Sequence, residues 1–339
     1  MTNYQLHSDN IPGRWVEYEG KKLRWLGGTN YLSIGTHSLF KEKLNEGIKK
    51  FSQNWGSSRR NNLQISVWEE LEDLFIKKYD RPAAALSSSG MLAGQTAMQI
   101  AFQLKPKSLL NIAPNTHPAL WSRPYIPFNG TFKEWENTLK TTDIIAIDGT
   151  GSPWVEGIDF DFAASLSEEN ILLVDESHRI GIQDIQIKTE ANLIQTASLS
   201  KAYGIPAGII LGEVDVIDHL KSDPFWVGSS PPNPAFCYAC LHAQEAYEEQ
   251  LGQLKHSIKL MDEGLRKINM SVKRLQGYPT FCSSSPDLFE YLKGKGFLTN
   301  QFSYPDINAP AICRATLSSL LTDEDIEELI DALVNFKDV

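Results

Sequence analysis

A chain of 339 residues, 42% hydrophobic and 22% charged, has the composition of an ordinary globular protein and enough length for one large domain plus a smaller one. Its formal net charge of −10 offers no broad basic footprint, which excludes nucleic acid and anionic membrane surfaces as partners but leaves room for a phosphate held by hydroxyls and backbone N–H groups. The opening "MTNYQLHSDNIPGRW" lacks a charged-then-apolar leader, and no apolar run approaches the ~20 residues that span a bilayer, so a cytoplasmic protein is expected.

Residues 1–40 read as an N-terminal segment packing with a small domain, 41–230 as a large domain and 231–339 as the small C-terminal domain. Within the large domain the patterning predicts a helix over 69–79, a strand over 83–86 and a helix over 91–104 with Ala93, Ala97, Ile100 and Ala101 on its inner face. Strands at 109–113, 143–148, 171–175, 195–199 and 208–213 follow, with a helix over 133–140 among them. This alternation is that of an α/β fold with a mostly parallel central sheet. Beyond 230, "NPAFCYACLHAQEAYEEQLGQLKHSIKLMDEGLRKI" reads as long helices. Cys237 and Cys240 lie at i, i+3 on an inner face, and no second CxxC accompanies them, so they read as packing thiols and no metal site is expected. "AICRATLS" is a strand candidate. In "TDEDIEELIDALVNF", Thr322 is an N-cap and Ile326, Leu329, Ile330 and Leu333 repeat at helical spacing.

In open α/β sheets, chemistry sits in the loops beyond the carboxyl ends of the strands. Here those loops are "SSSGM", "PNTHPALW", "GTGSPW", "ESHRIG" and the one carrying Lys201. Asp175 ends an apolar strand, where an ionised carboxylate needs a cationic partner; a pyridine nitrogen kept protonated is one, and a loop cap is the plainer reading. Lys201, 26 residues later in "SLSKAYG", is placed to condense with an aldehyde. One planar ligand satisfies both: pyridoxal phosphate. Its phosphate would take the backbone N–H groups of Gly90 and Met91 at a helix start and the hydroxyls of Ser198 and Ser200, although Ser89 reads equally as a simple helix cap. His117 could stack on the ring, and His178 could approach the ring oxygen or orient Asp175.

These residues resemble a fold-type I pyridoxal-phosphate enzyme, and within that group the α-oxoamine synthases, which include 8-amino-7-oxononanoate synthase and glycine C-acetyltransferase. The likeness runs from about residue 30 to the end: "NYLSIG", "WGSSRRNN…SSSGMLAGQ", "THPAL", "DGTGSPWVEG", "VDESHRIGI", "ASLSKAYG", "VGSSPPNP" and "CRATLSSLLTDEDIEELIDAL" are each similar to a family motif. The resemblance implies Lys201 as the Schiff-base lysine, His117 as the stacking histidine, and Asp175, His178, Ser152 and Ser198 at the cofactor. It further implies that Ser229 or Ser230 reaches the phosphate of a neighbouring subunit in a homodimer, and that Arg314 and Asn30 lie in the substrate site. Ile65 and Trp68 stand where the family carries paired histidines, and Gly94 where it carries asparagine.

The activity so implied is acyl transfer from an acyl-CoA or other acyl donor to a small amino acid, with loss of carbon dioxide. Arg314 would hold the amino acid's carboxylate and Lys201 would take its Cα proton. An aminotransferase or lyase on the same scaffold is the alternative within enzymes, and a catalytically silent binding protein the alternative outside them. A nucleotide-binding protein is excluded by the absence of GxGxxG and GxxxxGK[ST].

Overall fold

The computed structural model describes residues 7–52, 54–122, 128, 130–141, 143–151, 153–183, 186–266, 272–303 and 309–336. Its strands are β1 (Trp15–Tyr18), β2 (Lys21–Leu26), β3 (Ala83–Ser87), β4 (Leu110–Ile112), β5 (Ile144–Asp148), β6 (Thr150–Gly151), β7 (Glu156–Gly157), β8 (Ile171–Asp175), β9 (Asn192–Ser198), β10 (Gly208–Gly212), β11 (Lys273–Arg274), β12 (Thr280–Ser283), β13 (Phe297–Ser303) and β14 (Ala311–Thr316). Its α-helices are α1 (Ser38–Phe51), α2 (Val67–Tyr79), α3 (Gly90–Leu104), α4 (Phe132–Glu136), α5 (Val214–Ser222), α6 (Pro224–Gly228), α7 (Pro234–His242), α8 (Gln244–Leu265), α9 (Leu288–Gly294) and α10 (Asp323–Val334). No helix among the described residues is long and apolar enough to cross a membrane.

The chain divides into two compact units, one of residues 37–152 and 157–244, the other of 1–36, 153–156 and 245–339. The division falls after 244 rather than 230 because α7 packs inside the larger unit. Gly47 of α1 lies against the Ala235 backbone with no room for a Cβ, and the Tyr238 hydroxyl donates to Glu46 at 3.3 Å. The expected helices of this stretch are α7 and α8, separated at Ala243.

In the larger unit the sheet order is β3-β10-β9-β8-β5-β4. The ladders β9–β8, β8–β5 and β5–β4 are parallel, whereas β10 runs antiparallel to both its neighbours. Two cores cover its faces. One, on the α3 side, takes Ala85, Ile112, Ile144, Ala146, Ile171, Leu173, Ile194 and Ile210 with Ala93, Ala97, Ile100 and Ala101 of α3. The other takes Ile145, Ile147, Leu172, Val174 and Leu193 with Trp135 and Phe162. Strand residues thus alternate between two apolar layers, the pattern of a sheet covered on both sides. The helix expected over 133–140 stops at Glu136. It begins in a capping box of Thr131 with Glu134, and the Thr138 hydroxyl takes the Trp135 carbonyl at 2.6 Å.

In the smaller unit a second sheet has the order β1-β2-β13-β14-β12-β11, the N-terminal hairpin joining through a parallel β2–β13 ladder. Asp325 caps α10 in a box with Thr322 and takes ion pairs from Arg14 at 2.7 Å and Arg24 at 2.8 Å, tying the first strands to the last helix.

Candidate active site

The α3-side core determines where polar groups emerge. Two residues beyond its last apolar position, on the same face of each strand, stand Ser87 in β3, Asp148 in β5, Asp175 in β8 and Thr196 in β9. All four are buried. Asp148 pairs in register with Asp175, and Asp175 with Thr196. The carboxyl ends of three parallel strands therefore carry one polar row facing α3.

The start of α3 is pulled onto this row by two glycines. Gly90 lies against Ser198 and Gly208 against the Ser89 carbonyl, both too closely for a side chain. Ser89 does cap the helix, its hydroxyl accepting from Leu92 N–H at 3.1 Å. Ser198 and Ser200 meet hydroxyl to hydroxyl at 2.7 Å, so α3's first N–H groups and two hydroxyls converge. The Met91 side chain is half exposed.

Asp175 Oδ1 accepts from Ser177 N–H at 2.8 Å, and Ser177 Oγ accepts from Ser198 N–H at 2.7 Å. This chain fixes the end of β9, after which residues 199–207 form a tight loop closed by Leu199 N–H to Ala207 O at 2.9 Å and turned by Gly204 at φ 61°. That loop presents Lys201. The lysine's charge acts on both His117 and Asp148, and so does the charge of Asp175, so these groups lie within electrostatic reach of one another. His178 lies in the turn following β8 and is half-buried.

Both Asp148 oxygens accept from His117 N–H, at 3.0 and 3.1 Å. Burial, then the neighbouring Asp175 charge, hold the Asp148 carboxyl well above the usual carboxylate range. His117 is exposed as a residue, yet its imidazole is desolvated enough to lower its pKa. Its Nδ1 accepts from Ala119 N–H at 3.2 Å, so in the neutral ring the proton sits on Nε2. The loop after it is held by α3: Gln95 Nε2 donates to the carbonyls of Pro118, Ala119 and Trp121 at 2.9–3.2 Å, and Gly94 abuts Ala119.

Ser152 falls outside the described residues. Ser229 donates its hydroxyl to Trp226 O at 2.6 Å at the end of α6, while Ser230 is exposed. Arg314 and Asn30 belong to the smaller unit. Asn30 is exposed, its carbonyl accepting from Ser33. Half-buried Arg314 has a buried Nε without a hydrogen-bond partner, and its side chain bonds the Tyr31 hydroxyl.

Sequence reasoning passed over Asp148, Ser177, Thr196, Gln95 and Tyr31. Asp148 carried a usable signal: it ends an apolar strand just as Asp175 does. Ser177 lay inside the quoted "VDESH", but its link to Ser198 crosses between strands.

The residues present fit pyridoxal phosphate: a buried strand-end carboxylate, a loop lysine, a ring-bearing loop and an N–H and hydroxyl cradle. Residues 125–333, more than half of the chain, match the family model for aminotransferase class I and II. An 8-amino-7-oxononanoate synthase from Thermosipho melanesiensis is 24% identical over 358 residues, covering 93% of this chain and 88% of that protein. A serine palmitoyltransferase from Bacteriovorax stolpii is 23% identical, covering 80% of this chain and 69% of that one. Among solved structures, Sphingomonas wittichii serine palmitoyltransferase superimposes with a TM-score of 0.77 at 15% identity, over 95% of this chain and 88% of its own, which shows a shared fold.

Proposed function

This chain belongs to the aminotransferase class I and II family, and we propose that it is a pyridoxal-phosphate-dependent acyltransferase joining a small amino acid to an acyl thioester with loss of carbon dioxide. When bound, the cofactor supplies an aldehyde and a protonated ring that draws electron density from the amino acid's Cα. Asp175 keeps the ring nitrogen protonated. Lys201 would hold the aldehyde carbon and is the amine placed to move the Cα proton. His117 would lie against the ring and, with the loop behind it, exclude water. Ser198, Ser200 and the N–H groups of Gly90 and Met91 hold the phosphate, and Arg314 takes the substrate carboxylate in bidentate fashion.

A homodimer is part of this reading, with Ser230 rather than Ser229 extended to the partner's phosphate, because the Ser229 hydroxyl is engaged by Trp226 O. The two curated relatives above are named as enzymes of this type, which supports the acyl transfer. The observation that carries the proposal is that Asp148 stands in register with Asp175 and accepts from His117 N–H, with the Lys201 loop following the neighbouring strand β9.

Amino-group transfer is a second reading, favoured by Trp68. Where the resembling family has a histidine, this indole is buried and its Nε1 donates to Pro232 O at 3.0 Å, leaving it no polar group for an acyl donor. One experiment separates the two. Protein reconstituted with pyridoxal phosphate should gain a visible absorption band that Lys201→Ala lacks. Incubated with glycine, L-alanine or L-serine and an acyl-CoA, it should release free thiol. Keto-acid formation without thiol release would establish transamination instead, and a protein that stays colourless would overturn both.

A further inference from the structure

Arg314 leaves β14 flanked in register by Asn300 of β13 and Cys282 of β12, neither of them anionic. No carboxylate pairs with it among the described residues. An unpaired guanidinium taken partly out of water is costly, and its buried Nε has no acceptor. What holds the group is neutral. Its side chain bonds the hydroxyl of Tyr31, which is fully buried, and Tyr31 Oη lies 2.9 Å from the Tyr278 hydroxyl. The two rings meet edge to face with centroids 6.1 Å apart. The backbone around Tyr31 is itself fixed, since Ser319 N–H donates to Tyr31 O at 3.0 Å and the Ser319 hydroxyl to Leu32 O at 2.8 Å.

A guanidinium only donates, so Tyr31 Oη accepts from Arg314, while its bond to Tyr278 joins two hydroxyls either of which can donate. Burial raises the Tyr31 pKa against the opposing effect of the Arg314 charge, so the hydroxyl stays un-ionised and leaves that charge uncancelled. A carboxylate in its place would hold the arginine equally well but neutralise it.

We propose that Tyr31 and Tyr278 act in series as positioning residues that orient the Arg314 guanidinium for the carboxylate of an amino-acid substrate. This rests on the role given to Arg314 above, and the two are tested separately. Holoenzyme is titrated with glycine, L-alanine and L-serine, and with methylamine, ethylamine and ethanolamine, which lack only the carboxylate. The change in the cofactor's visible absorption reports binding.

Wild-type protein should prefer each amino acid to its matched amine. Tyr31→Phe should weaken amino-acid binding about tenfold, the loss expected for one hydrogen bond to a charged group, and Tyr278→Phe, which removes a bond between neutral hydroxyls, about threefold, with amine binding unchanged in both. The double variant should be no weaker than the more severe single variant, as for groups acting in series. Raised KM with kcat held within about twofold is the kinetic counterpart. Should Arg314→Gln erase the preference while both tyrosine variants keep it, the positioning role is overturned and the arginine reading stands. Should Arg314→Gln keep the preference, both are overturned. Equal weakening of amines and amino acids in the tyrosine variants would mark a merely structural pair and also overturn the proposal.

Discussion

Asp148 and Asp175 stand at the same level of two adjacent parallel strands, with their carboxyl groups on one face of the sheet. Neighbouring strands are about 4.8 Å apart, and two buried carboxylates at that spacing do not both ionise readily. Burial and then the Asp175 charge push the Asp148 carboxyl well above the usual carboxylate range, and it also anchors His117 N–H. It ionises at about pH 4 in the unfolded chain and only at higher pH in the folded one. The folded state is thus penalised as pH rises above that value. Asp148→Asn keeps an acceptor for His117 N–H and removes the penalty. Without added cofactor, the variant should melt above wild type at pH 7, with the gap closing as pH falls toward about 4. A gap that does not change with pH would refute this.

Two helical glycines should respond oppositely to alanine. At Gly94 the new Cβ meets Ala119 O at 2.6 Å and Ala119 Cβ at 2.8 Å, so α3 and the His117 loop must part. Gly94→Ala should cost about 1–3 kcal/mol and weaken pyridoxal phosphate binding. Gly252, within α8, has nothing within 4 Å of the added atom, and its replacement should gain roughly 0.5–1 kcal/mol. Denaturant midpoints of both variants check the pair.

Glu176 is buried beside Gly149. Desolvation pushes its carboxyl from 4.5 to about 7, opposed by the Arg179 and Arg81 charges and by the Gln195 amide and reinforced by Asp175. Folded-state protonation persists while the unfolded chain ionises, so its contribution to stability is lost between about pH 4.5 and 7, on the order of 3 kcal/mol. Glu176→Gln should flatten the stability–pH curve across that window. Urea unfolding at pH 5, 6, 7 and 8 measures it, and parallel curves for the two proteins would count against the assignment.

Asp325 behaves in the reverse sense. Burial works against its charge, but hydrogen bonds from Arg14, Thr322 N–H and Arg24 hold its pKa below the ordinary value. Its contribution is present at neutral pH and disappears as pH falls through the carboxylate range below 4. Asp325→Ala, which removes the carboxylate of Arg14 and leaves Arg24 paired with Glu328, should cost about 3 kcal/mol at pH 7. Thr322→Ala, losing the cap and the exposed hydrogen bond from Arg14 but no ion pair, should cost about 1 kcal/mol. Hydrogen exchange in α10 and in β1 and β2 localises the loss.

Much of this architecture is readable from local pattern. Ala93, Ala97, Ile100 and Ala101 face inward because 3.6 residues make a turn. β8 appears at its full expected length because an apolar run bounded by polar residues has no other comfortable state. The positions of Asp175 and Lys201 could be read locally because the first ends its own strand and the second lies in the loop just after the next. The small-unit sheet was not, since β2 pairs with β13 from the far end of the chain.

Sequence by itself therefore determined the alternation of strands and helices, the carboxyl-end loops and the residue types they present, all properties of short windows. Tertiary structure alone decided that β10 inserts antiparallel between β3 and β9, that Asp148 falls level with Asp175, and that Tyr31 meets Tyr278 across a separation of 247 residues. Strand order and register are settled by which apolar faces bury one another. That free energy belongs to pairs of distant segments and is written in neither one alone.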